Sequence, residues 1–167
     1  MSTLPSFDTL RKNYPDGDPE IVKRNIGGKV DAAWITNTCA IRMSRAFNYS
    51  GVLIPSQLDA LRVLSGFDRM WYAYRMRELK SWIELSFGEP NIVKNKPDNG
   101  HISRDSFMTV HGVIAFDIDF EDASGHLDLW DGTSYIHQST DPRDYFKMAT
   151  KVVLWKLTVN RVGARRK

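Results

Sequence analysis

Residues 125–138 read GHLDLWDGTSYIHQ. The runs HLDLW and TSYIHQ are strand-like, and Asp131-Gly132 between them is the strongest short-range hairpin signal, because a two-residue type I′ turn needs positive φ at both central positions. Counting outward from that turn pairs Trp130 with Thr133, Asp128 with Tyr135, and His126 with His137. Directly opposed residues of an antiparallel pair have Cβ atoms about 4.5–5.5 Å apart and share a face. The ribbon therefore predicts imidazole against imidazole, with Asp128 two residues along on the same face.

Outward from this ribbon the strand pattern continues on both sides. TVHGVIAFDIDF (109–120) precedes it with a turn at EDASG (121–125), and KVVLWKLTV (151–159) follows it. The earlier half has helical signals instead. Asp18 followed by Pro19 starts a short helix through Ile21 and Val22 that stops at Gly27-Gly28. WITNTCAIRMSRAFNYSG (34–51) predicts a helix with Thr36, Asn37 and Thr38 as candidate caps and Cys39 in its first turn. Residues 56–65 and 68–87 read as further helices, the second with a core stripe of Trp71, Tyr74 and Trp82. GEPNIVKNKPDNGHISRD (88–105) reads as a long loop at the edge of a cleft. Helices first and strands second predict an α+β fold, early helices covering an antiparallel sheet, in a single domain over 1–167. Residues 1–18 form a turn-rich lead-in and 161–167 a basic tail.

The composition excludes whole classes. At 42% hydrophobic and 26% charged residues, the 167-residue chain matches a soluble globular protein with an ordinary core. The formal charge of +3 is carried partly by Arg161, Arg165, Arg166 and Lys167, and no nucleic-acid-binding motif accompanies it. No run has the roughly 18–20 apolar residues a membrane span needs, nor the apolar core of a secretory signal. The expectation is a chain made in the cytoplasm and, if it acts outside, exported by another route. A single cysteine rules out a disulfide within the chain.

Cys39 is then the natural nucleophile. Amide N–H groups at a helix start and the positive end of the helix dipole favour thiolate over thiol, and the same amides can receive an oxyanion. The plain alternative is a small buried hydrophobe. A cysteine nucleophile needs a base and a group orienting that base. His126 fits the first role. His137 fits the second, Asp128 is its main rival, and Asp141 is a third choice. Two other readings of the trio are a solvated sheet face and a zinc site for a zinc-dependent peptidase using His126, Asp128 and His137. Zinc would leave Cys39 without a task. His101 and His111 read as surface or structural.

NTCAIRMS at 37–44 and GHLDLWDG at 125–132 resemble the nucleophile and base motifs of the fourth family of type VI secretion amidase effectors. That family is a branch of the papain-like NlpC-type cysteine peptidases. Order and separation agree, as do the IGG turn at 26–28 and the Tyr-Arg-Met segment at 74–76. The resemblance implies a papain-like NlpC-type fold with Cys39 as nucleophile and His126 as base. One departure concerns the third residue, since members carry an aspartate after the WDG turn where this chain has His137. Some relatives have extra cysteines near this hairpin, and here there are none.

By resemblance the activity is that of a peptidoglycan amidase. It would cut the γ-D-glutamyl–meso-diaminopimelate amide of cell-wall stem peptides without metal or organic cofactor. Such an effector would be exported by the type VI machinery, act in the periplasm of a target bacterium, and be blocked by a cognate immunity protein. The competing class is a non-catalytic wall-binding or partner-binding module that uses Trp71, Trp82 and Trp130 as contact surfaces.

Overall fold

The computed structural model describes residues 2–119, 125–139 and 143–160. Its helices are α1 (Phe7–Asn13), α2 (Pro19–Ile26), α3 (Cys39–Tyr49), α4 (Met76–Phe87) and α5 (Tyr145–Met148). Its strands are β1 (Val63–Ser65), β2 (Trp71–Ala73), β3 (Ile92–Asn95), β4 (His111–Asp117), β5 (Gly125–Asp131) and β6 (Lys151–Lys156). β3-β6-β4-β5 form a four-stranded antiparallel sheet, and β1-β2 form a separate hairpin. The fold is α+β.

Both faces of the sheet are covered, so the strands show nearly continuous burial rather than alternation. Val113, Ala115, Leu127, Leu129, Val153 and Trp155 pack on one face against residues of α1, α3 and α4. Ile114, Phe116, Trp130, Val152 and Leu154 pack on the other against Phe107, Tyr135, Tyr145 and Phe146. β5 is buried from Gly125 to Trp130, which removes the solvated-face reading of His126 and Asp128.

α3 is a central helix, buried on most of its circumference. Its apolar residues Cys39, Met43, Ala46 and Phe47 enter the main core, while its polar side stitches β2 to it. Ser44 Oγ accepts from Ala73 N at 3.0 Å, and Asn48 Nδ2 donates to the Trp71 carbonyl at 2.8 Å. Each such bond is worth about 1 kcal/mol net, and far more is lost if one buried partner is removed.

The lead-in contains a helix that its turn-rich composition concealed. Ser6 caps α1 through Thr9 N, and Phe7 and Leu10 are buried. α2 starts at Asp18-Pro19 and ends at Gly27, as its capping signals predict.

Several expectations fail. Residues 56–65 are not helical, and the predicted helix over 68–87 begins only at Met76. Gly66 N donates to the Met70 carbonyl and Asp68 caps Met70 N, so the chain reverses into the β1-β2 hairpin. The aromatic stripe dissolves accordingly: Trp82 is core, whereas Trp71 lies exposed on a strand. The long loop 88–105 contains β3.

The 125–138 ribbon fails as well. Asp131 Oδ1 accepts from Thr133 N and Ser134 N, and Asp131 N donates to the Ser134 carbonyl. The tight turn is thereby centred one residue later, and a single Trp130–Tyr135 bridge follows before the chain enters a 3-10 turn at Ile136–Ser139. His126 pairs instead with Phe116 of β4. His126 and His137 do not face each other across a ribbon. The predicted turn at 121–125 falls mostly outside the described residues.

Candidate active site

The site forms where the head of α3 meets the free edge of β5. Cys39 is the first residue of α3 and is 4% exposed. Of the three candidate caps, Asn37 serves: its Oδ1 accepts from Cys39 N at 3.0 Å, while Thr38, at the cap position, makes no capping bond. The Asn37 amide also points at the Gly125 carbonyl, 3.5 Å away. Nucleophile helix and base strand are thus linked one residue before His126. Gly125 has φ +145°, and a Cβ there would run into the Phe116 carbonyl oxygen, so only glycine fits.

Two buried cations fix the approach to Cys39. Lys23, fully buried, donates from Nζ to the carbonyls of Ala32 (2.8 Å) and Ile35 (2.7 Å) and pairs with Glu20. Arg42, one turn into α3, donates to Thr38 Oγ1 and to the carbonyls of Pro15 and Gly17. A buried charge is tolerable only when its donors are satisfied in this way.

His126 and Asp128 project from the same face of β5, and their contact is direct, with His126 Nε2 2.8 Å from Asp128 Oδ2. Asp128 is fully buried. Its Oδ1 accepts from Leu129 N (2.7 Å) and Ile136 N (3.3 Å), and its Oδ2 from His137 N (3.3 Å) and His137 Nδ1 (3.1 Å) as well as from His126. His137 therefore reaches His126 through the carboxylate. Asp141 lies outside the described residues.

The electrostatics follow from this geometry. Burial pulls the His126 pKa down, but bonding to Asp128 and to Cys39, with the negative charge of both, outweighs it and lifts the value to about 9. Burial of Asp128 works against its ionisation, yet the two imidazoles hold its carboxyl well below the usual carboxylate range. With Nε2 committed to Asp128, Nδ1 is the His126 nitrogen left to meet the thiol.

Two tyrosines that the sequence did not single out complete the surroundings. Tyr145 of α5 stacks on the His126 ring at 4.3 Å and 9°. Tyr14, just past α1, places its hydroxyl 3.5 Å from His137 Nδ1, and burial pushes its pKa well above the ordinary value, so it is a neutral phenol. Nothing in spacing marks either one, since both arrive through tertiary packing. His101 bonds the Ile102 carbonyl, and His111 meets the Phe7 ring at 4.7 Å.

His126, Asp128 and His137 offer ligand atoms within 4.8 Å of one another, a set of the right type for a metal ion. The carboxylate, however, already accepts five N–H donors, an arrangement suited to orienting a proton carrier rather than binding a cation. The binding-module reading loses two of its three surfaces, because Trp130 and Trp82 are 0% and 8% exposed, and keeps only Trp71. Among the described residues no helix is long and apolar enough to cross a membrane.

No curated protein matches the chain. Solved structures do. The Tae4 effector in the Tae4-Tai4 effector-immunity complex from Enterobacter cloacae is 26% identical, with 93% of this chain and 100% of that one covered at a TM-score of 0.81. Tae4 from Salmonella typhimurium, in complex with the Enterobacter cloacae immunity protein Tai4, is 26% identical over 92% and 99% of the two chains, TM-score 0.79. Tae4 from Enterobacter cloacae alone gives 25%, 93%, 98% and 0.79. The family model for Tae4, type VI secretion system amidase effector protein 4, matches residues 35–155, a span that holds Cys39, His126, Asp128 and His137. The chain belongs to the Tae4 family of type VI secretion amidase effectors.

Proposed function

We propose that the chain hydrolyses the γ-D-glutamyl–meso-diaminopimelate amide of peptidoglycan stem peptides by cysteine acyl transfer, with Cys39 as nucleophile, His126 as base and acid, and Asp128 as the residue orienting His126. The observation that carries the reading is the 2.8 Å contact from His126 Nε2 to a fully buried carboxylate, on a strand edge tied to the helix that starts at Cys39. Such a carboxylate fixes the tautomer of the imidazole and stabilises the imidazolium that forms.

Attack of the Cys39 thiolate on the amide carbonyl forms the C–S bond and an oxyanion beside the first turn of α3. The imidazolium of His126 then gives its proton to the leaving amine as the C–N bond breaks. Water, deprotonated by His126, attacks the thioester; the carboxylic acid leaves and Cys39 is regenerated. His137, bonded to the carboxylate by both main chain and ring, holds Asp128 in position. This assignment differs from the layout implied by resemblance, in which the residue after the WDG turn orients the base.

The chain's setting follows from its relatives. It is delivered by the type VI machinery into the periplasm of a target cell, and an immunity protein of the Tai4 kind covers it in the producer.

Muropeptide mass analysis of sacculi treated with wild-type, Cys39→Ala and Asp128→Ala proteins tests the reading. New D-glutamate and diaminopimelate termini are expected from wild type alone. Digestion by Cys39→Ala that stops on chelation would instead establish the zinc reading.

A further inference from the structure

The geometry points to an aromatic saccharide-binding wall, Trp34 with Tyr74 and Arg75, at the head of the nucleophile helix, where it grips the glycan strand that carries the stem peptide. The inference rests on the proposed wall-hydrolase activity and adds a second point of contact with that substrate.

The wall's position follows from how β2 lies along α3. Asn48 bonds Trp71 and Ser44 bonds Ala73, so β2 runs antiparallel to the helix. Four helical residues and two extended residues both cover about 6 Å. β2 ends at Ala73, and Tyr74 after it packs with the cluster of Ile41, near the start of α3 but on the side of the helix away from the core that holds Cys39. Trp34 reaches the same place from the other direction. It precedes Cys39 by five residues, a reach of at most about 17 Å, and its ring meets Tyr74 edge-on at 5.2 Å and 84°.

Trp34 is held rigidly and yet left in water. The carbonyls of Ala32 and Ile35 on either side are pinned by Lys23, and Ile35 is buried, but Trp34 itself is 63% exposed. Packing does not require an indole there. A fixed aromatic face at low ordering cost is what the apolar C–H face of a pyranose ring needs. The exposed Arg75 guanidinium, 5.8 Å from the Tyr74 ring, supplies donors for sugar hydroxyl and acetamido oxygens beside it.

Two substrates test this: intact sacculi, and a sugar-free stem peptide containing the same scissile amide. Trp34→Ala should lower kcat/KM on sacculi about tenfold, chiefly through KM, and leave the sugar-free peptide within about twofold of wild type. Trp34→Phe should retain most of the activity on sacculi. Equal losses on both substrates, or none on sacculi, would overturn the saccharide wall. A thermal melt of Trp34→Ala matching wild type separates binding from folding, and unchanged peptide turnover makes the same check. Cys39→Ala run beside it separates the two ideas, because activity surviving in that variant sinks the nucleophile assignment whatever Trp34 does.

Discussion

Asp128 Oδ2 lies 2.8 Å from His126 Nε2, inside a carboxylate that also accepts three backbone N–H groups and the His137 ring. The carboxylate cannot rotate without abandoning several bonds at once, so the imidazole it holds is fixed in one tautomer.

Asp128→Asn should therefore remove most of the catalysis while sparing substrate binding. A loss of about 10³ to 10⁴ in kcat is expected from the precedent of orienting carboxylates, with KM little changed. Steady-state kinetics on a stem peptide checks this, and a loss under about tenfold would remove Asp128 from the orienting role.

His137 acts through Asp128, so its truncation should be milder. His137→Ala deletes one charge-assisted hydrogen bond and leaves the main-chain donors in place, which corresponds to about a tenfold fall in kcat. If His137→Ala and Asp128→Asn turn out equally dead, the direct and indirect positions assigned to the two residues are reversed.

The raised His126 pKa has a defined alkaline consequence. The free group titrates near 6.5 and the folded one near 9, so the stabilisation is complete below about pH 6.5 and lost as pH rises through about 9. Asp128 is shifted the other way, and its contribution is present above the ordinary carboxylate range and lost on acidification. The alkaline limb of kcat/KM should fall near pH 9. In Cys39→Ala, lacking the thiol partner, the alkaline fall in Tm should move to lower pH; an unmoved profile would show that Cys39 and His126 are not coupled.

Gly125→Ala should damage fold and activity together. The new methyl collides with the Phe116 carbonyl at φ +145°, forcing β4 and β5 apart beside His126. Strain and lost pairing should cost about 3 kcal/mol or more, read as a drop in Tm. An active, unshifted variant would mean that this end of β5 does not set the base.

Capping chemistry made α2 and the start of α3 legible, because Asp18, Pro19 and Asn37 act within two or three residues of where they stand. The place of Cys39 at the head of α3 was legible for the same local reason. The partner of β5 was not. Asp131-Gly132 promised a local hairpin, but the Asp131 carboxylate captured Thr133 and Ser134, and burial on two faces paired β5 with β4 instead. The opposition of His126 and His137 holds only in that register, which the chain does not adopt. Their actual meeting on Asp128 depends on the 3-10 turn at Ile136–Ser139, which no periodicity announces. Apolar spacing in 56–75 suits a helix or a hairpin equally, and Gly66 with Asp68 decided the matter through backbone bonds.

β6, the last strand in the sequence, sits between β3 and β4. During synthesis, then, an emerging chain can collect its helices and pair β4 with β5, but β3 has no neighbour and the sheet no middle until residues 151–156 leave the ribosome. A product cut short before them leaves both apolar faces of the layer unfinished. Closure of the sheet therefore waits on β6, whichever helices and strands form before it.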